Sequence, residues 1–558
     1  MRPGAFGVWT FVGIVLLLAG CSAGVPRQGR SEPAAQLFEG LGTHHRPVTT
    51  SSPLAQRYFD QGLIWSYAFN HDEAIRSFGE AARLDPGCAM AFWGIALCNG
   101  PHINNPTVPP ERSRAAWEAL NQARALKAGA GEVEQALIEA LSARYADPPP
   151  ADRRRLDEAY AAAMERVHRR FPDDADVAVL FAEALMDLQP WDLWTPAGQP
   201  KGATPHILSV LEKALVLSPS HPGACHLYIH AVEAGPHPEK ADAAADVLRT
   251  AVPLAGHLVH MPAHIDVQRG RWALAADQNR AAIQADRRYR ALSPRHGFYH
   301  VYMAHNHHFL AFAAMMEGDR GSALQAARDM IAGVPDDFLR QQPALIDPYM
   351  MIELDVLKRF GRWDDILARP RPPTNLPITT AFWHYARGIA LAAKGRVPEA
   401  RREQQTFRAA AAKVPADAVM AINPAHRVLA VAEQVLAGEI ALAERRFDEA
   451  IASLRQAVRL EDDLLYMEPP EWIQPARHTL GAVLIAAGRH AEAETVYRED
   501  LQRWPENGWS LQGLARCLRA RHADAEASRV EARFRKAWSR ADTSIATSCL
   551  CVRDETGS

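Results

Sequence analysis

The stretch NHDEAIRSFGEAARLDP sets small and apolar positions among charged ones. Ala74, Phe78 and Ala81 are spaced by four and three residues, and Pro86 closes the run. That spacing puts the three side chains on one face of a helix. Gly62, twelve residues before Ala74, predicts a partner helix that approaches closely. FDEAIASLRQAVRLEDD repeats the arrangement with Ala450, Leu454 and Ala457. A Gly-x4-Ala pattern recurs at Gly270/Ala275, Gly318/Ala323, Gly395/Ala400 and Gly488/Ala493, where a tight turn would join two helices. Prolines at 172, 219, 253, 335 and 505 would end the second helix of a pair. Strand signals are nearly absent, so the predicted class is all-α.

These offsets resemble those of the 34-residue tetratricopeptide repeat, a helix-turn-helix unit that stacks into a superhelical solenoid. The resemblance implies about twelve antiparallel helix pairs over residues 54–541. Four stretches break the period: 189–204, 289–301, 340–348 and 462–472. Such insertions either carry function on one rim of a solenoid or pad the surface.

GHLVHMPAHI places His257, His260 and His264 at spacings of three and four, on one helical face. Of the 23 histidines, 13 fall between His206 and His308. The repeat resemblance gives this cluster a frame, with repeats starting at residues 175, 222, 256 and 304. It also implies that positions 2, 5, 9, 12 and 13 of each first helix line the concave groove. Glu183 and Asp187 then face the groove from the first of these repeats. His226, His230 and Glu233 face it from the second, His257, His260 and His264 from the third, and His305 and His308 from the fourth. Neighbouring helix axes about 8–10 Å apart would let side chains of two repeats share one ion. Imidazoles in this number suit a transition metal such as Zn, Cu or Fe, and the carboxylates admit a dinuclear centre. Glu183, Asp187 and Glu233 could bind the ion directly or orient the imidazoles. His226-x3-His230 lacks the glutamate of the HExxH zinc-protease motif. Pro262 would kink the third of these helices or start it, leaving His257 and His260 in an approach loop. His44, His45, His71 and His102 lie far off in sequence and read as structural or surface residues.

Charge narrows the function classes. With 62 basic and 65 acidic side chains there is no basic excess to hold a phosphate backbone, so no nucleic-acid partner is expected. No P-loop and no GxGxxG fingerprint occurs. At the N-terminus Arg2 precedes an apolar stretch that ends in Leu18-Ala19-Gly20-Cys21. That ending resembles a bacterial lipobox and implies a signal peptide over 1–21 with Cys21 lipidated. A lipid anchor in the cell envelope is expected, at the outer membrane facing the periplasm. Residues 22–53, rich in Gly, Ser, Pro and Thr, read as a flexible tether, and 542–558 as a flexible tail. The other six cysteines form no tight disulfide framework. Two functions remain open. One is a metal centre in the groove, with a metal-dependent hydrolase or oxidase as its catalytic form. The other is a non-catalytic adaptor that takes a peptide or protein segment in the groove.

Overall fold

A computed structural model describes residues 35–293 and 296–552. The signal-peptide and lipidation expectations, Cys21 included, lie outside the described residues. No described helix is long and apolar enough to cross a membrane.

Helices pack in twelve consecutive antiparallel pairs, from Pro53–Tyr67 with His71–Leu84 to Gly508–Ala520 with Asp524–Ala537. The only β-strands among the described residues form a hairpin of Val419–Met420 with Asn423–Pro424. The fold is therefore an all-α solenoid of tetratricopeptide-type hairpins, as the residue pattern predicts.

The local reasons are those of the sequence pattern. Helices end at Arg170, Leu217, Ala251, Gly333 and Arg503, each two residues before a period-closing proline. The inter-helix turn needs one left-handed residue five positions before a buried alanine. Gly270, Gly318, Gly395 and Gly488 supply it with φ between 69 and 81°. Three turns take the same conformation without glycine, at Phe69, Arg445 and His522. Ala74, Ala450 and Ala527 follow them five residues on and are fully buried.

The later repeats fold back onto the earlier ones. Trp272 Nε1 donates to the Pro505 carbonyl at 2.8 Å, and Trp509 Nε1 to the Met315 carbonyl at 2.8 Å. Arg540 pairs with Asp277 at 2.8 Å. One apolar core holds Trp272, Phe309 and Phe312 together with Trp504 and Trp509. This closure brings the insertion 462–472 against the histidine-bearing helices.

Two boundaries differ from the sequence expectation. Within the expected tether, the segment around residues 41–46 packs against the repeats. Leu41 is buried, and Arg46 pairs with Asp174 at 2.8 Å and Asp176 at 3.1 Å. Asp176 also accepts from His44, Tyr67 and His221, so a charged clamp holds a segment whose composition looks flexible. Nor is the start of the tail loose. Ile545, Cys549 and Cys551 are buried, and Ser548 bonds Tyr497 and the His478 carbonyl. Cys549 and Cys551 are disulfide-bonded, while Cys88, Cys98, Cys225 and Cys517 are free and buried.

Candidate metal centre

Six of the seven histidines proposed as ligands, all but His308, converge as two triads. His226, His230 and His257 bring one nitrogen each within 4.8 Å of one another, and so do His260, His264 and His305. Helix Pro222–Val232 carries His226 and His230 one turn apart. Pro262 divides the next histidine-bearing segment: Gly256–His260 and Pro262–Gln268 are separate short helices. His257 and His260 thus sit on a helix of their own, not in an approach loop. The proline ends hydrogen bonding across the junction and starts the second helix at its first position. Helix His300–Glu317 supplies His305.

Four of the six rings are oriented from behind. His226 Nδ1 donates to the Tyr67 carbonyl at 2.7 Å, and His260 Nδ1 to Asn279 Oδ1 at 3.0 Å. The Asn279 amide nitrogen is itself committed to the Ala275 carbonyl at 2.8 Å, which fixes its oxygen toward His260. Glu233 takes one histidine from each triad, accepting from His230 Nδ1 at 2.8 Å and from His264 Nδ1 through its other oxygen. A carboxylate or carbonyl behind an imidazole sets its tautomer and leaves Nε2 as a lone pair facing forward. Those forward nitrogens face one another: His226 to His257 at 3.1 Å, His260 to His264 at 2.7 Å, and His260 to His305 at 3.2 Å. His230 Nε2 is buried with no partner.

Burial pushes the imidazoles of His226, His257, His260 and His305 well below their ordinary range, with neighbouring histidines adding to the effect. They are held neutral, the form that binds metal. Burial alone would raise the Glu233 carboxyl, but the charge of His264 and the hydrogen bonds of both histidines outweigh it and bring it to about 2.

The other proposed residues lie apart from the triads. Asp187 pairs with Arg144 at 2.5 Å, and Glu183 is half-buried and feels the charge of the same guanidinium. Neither belongs to the histidine triads. His308 packs against Tyr349, with ring centroids 5.5 Å apart, and lines the adjoining cavity without entering a triad.

That cavity, about 320 Å³, is lined in part by His230, His257, His264 and His305. All four insertions reach it, through Trp191, Phe298, Ile346 and Met467 among others. They are therefore walls of one chamber. Glu468, in the last insertion, lines it too. One of its oxygens accepts from Gln268 at 2.8 Å and Tyr466 at 3.1 Å, and the other has no partner. Burial, with the Glu233 charge nearby, raises its carboxyl well above the ordinary range.

Phe69 and Glu468 escaped the sequence reading. Phe69 occupies the left-handed turn with φ 56°, a strained place for a bulky side chain. Its ring lies 4.5 Å from that of His226 and stacks on those of His230 and His257. The signal was present: residue 69 stands where the Gly-x4-Ala frame has glycine elsewhere. Trp191, φ 61°, repeats the theme against His230.

The class of protein is thus a tetratricopeptide-type helical solenoid with buried histidine clusters. Residues 434–464 match the tetratricopeptide repeat family. No curated protein matches the chain. Among solved structures, human IFIT1, as a dimer with m7Gppp-AAAA, is similar at 12% identity and TM-score 0.34, over 88% of this chain and 91% of that one. Yeast Tom70 is similar at 12% identity and TM-score 0.29, over 84% and 89%. Superpositions this loose carry no argument about function.

Proposed function

We propose that this protein is a binding scaffold that takes up its ligand in the histidine-lined cavity. The repeat architecture most directly supports an adaptor that holds a peptide or protein segment without chemistry. A finer reading is favoured by one observation: the two triads hold transition-metal ions, one per triad. That observation is the pair His260 and His264, whose forward nitrogens face each other at 2.7 Å while Asn279 and Glu233 take the proton on the other side of each ring. Two lone pairs at that distance require a cation between them. A proton satisfies one such contact. An ion satisfies three converging nitrogens at once, which is the donor set each triad offers. Bound there, a metal would supply Lewis acidity or redox chemistry. Glu233 would hold His230 and His264 in the ligating tautomer, Tyr67 and Asn279 would do so for His226 and His260, and Phe69 would exclude water.

The test is metal content and melting temperature of the full chain. The metal reading expects stoichiometric Zn, Cu or Fe after reconstitution, and a melting temperature that a chelator lowers. In a His260→Ala/His264→Ala variant, both effects should shrink. A chain that takes up no metal, and whose melting ignores the chelator, leaves the adaptor reading alone.

A further inference from the structure

Resting on the metal reading, we propose that the cavity binds a small apolar molecule, about the size of a phenyl or short alkyl group, by a metal-coordinating head that also carries a hydrogen-bonding group for the Glu468 carboxyl. The chamber combines two chemistries. Its apolar wall includes Ile103, Val301, Met330, Leu345, Ile346 and Met350, which offer no polar side chain. No Lys or Arg lines it, so an anionic or electron-rich head finds no cation there except at the triads. His230, His257, His264 and His305 line the same chamber, as does Glu468, which has an unpartnered buried oxygen. Tyr466 links the other Glu468 oxygen to Glu233, with its hydroxyl 3.1 Å from the first and 3.4 Å from the second, which keeps the Glu468 carboxyl beside the Glu233 that supports the triads. A buried carboxyl oxygen without a partner is costly, and a hydrogen-bonding group on the ligand head would satisfy it.

Size follows from volume. A cavity of roughly 150 Å³ lined by apolar side chains takes up benzene. About 320 Å³ therefore accommodates one ring or a short chain together with a head group. An extended peptide fits this chamber poorly, because the insertions wall it in and its apolar lining leaves backbone amides unpaired.

The experiment loads the full chain with Co(II) and follows its visible absorption during titration with two hydroxamates. Benzohydroxamate and acetohydroxamate share the chelating head and its donor, and differ in the apolar body. Benzohydroxamate should bind at least tenfold more tightly. Met350→Trp, which fills the apolar part, should abolish that preference with cobalt content unchanged. Val301→Trp is the second variant should the first fail to fold, judged by its helical circular dichroism. Equal affinities in a cobalt-loaded chain would overturn the proposal while leaving the metal reading intact. A chain that binds no cobalt overturns both.

Discussion

Glu233 is the residue on which the two triads depend together. It is buried, and its two oxygens reach one histidine in each triad. Glu233→Gln keeps the shape but replaces one acceptor by a donor, which conflicts with the Nδ1–H of one ring. Removing such support behind a ligating histidine typically costs about 10–100-fold in metal affinity. Competitive titration with a chromophoric chelator should show that loss for both equivalents of metal. An unchanged affinity would mean the rings are oriented by packing alone. A second residue makes a prediction about pH. Burial raises the Glu439 carboxyl to about 8, despite the nearby Lys358 charge. Between the unfolded value near 4.5 and about 8, the folded chain keeps a proton that the unfolded chain has lost. Stability from this group is therefore present below pH 4.5 and falls as pH rises through that window. Glu439→Gln cannot lose the proton. Its melting temperature relative to wild type should rise from pH 5 to pH 8, and a constant difference would refute the assignment.

At the scale of the element, the helix pair is held by a near-contact the sequence announces. A Cβ on Gly62 would sit 2.7 Å from the Phe78 ring, closer than packed atoms tolerate. A Cβ on Gly79, in the same pair, would meet nothing within 4 Å. Gly62→Ala should therefore cost about 1–3 kcal/mol by overpacking. Gly79→Ala should be neutral or stabilise by up to about 1 kcal/mol, since it only removes backbone freedom inside a helix. Urea unfolding of the two variants checks this, and equal effects would show that the ring moves freely aside. This element level was the most legible in the sequence. Periodicity, glycine turns and closing prolines are local signals, and they foretold the helix ends. The left-handed turns at Phe69, Arg445 and His522 were not legible as turns, because no glycine marks them. Their frame position alone gives them away.

The whole molecule is where sequence reasoning lost its hold. It placed histidines of three successive first helices on one face, and six of them do meet. It could not tell that Asp187 is taken by Arg144, because that arginine lies some 40 residues away in another repeat. Nor could it foresee Glu468, which reaches Gln268 across 200 positions because the solenoid closes on itself. Ordered segments such as Arg46 with Asp174 and Asp176 hide in tether-like composition for the same reason: their partners are 128 and 130 residues distant. The central claim concerns six imidazoles drawn from three hairpins. X-ray absorption on the zinc-loaded full chain tests it most directly. The account predicts two zinc per chain, each with imidazole scattering at about 2.0–2.1 Å, and loss of both in a variant that replaces His230 and His264 by alanine. Zinc bound with no imidazole shell, or bound equally well by that variant, would contradict it.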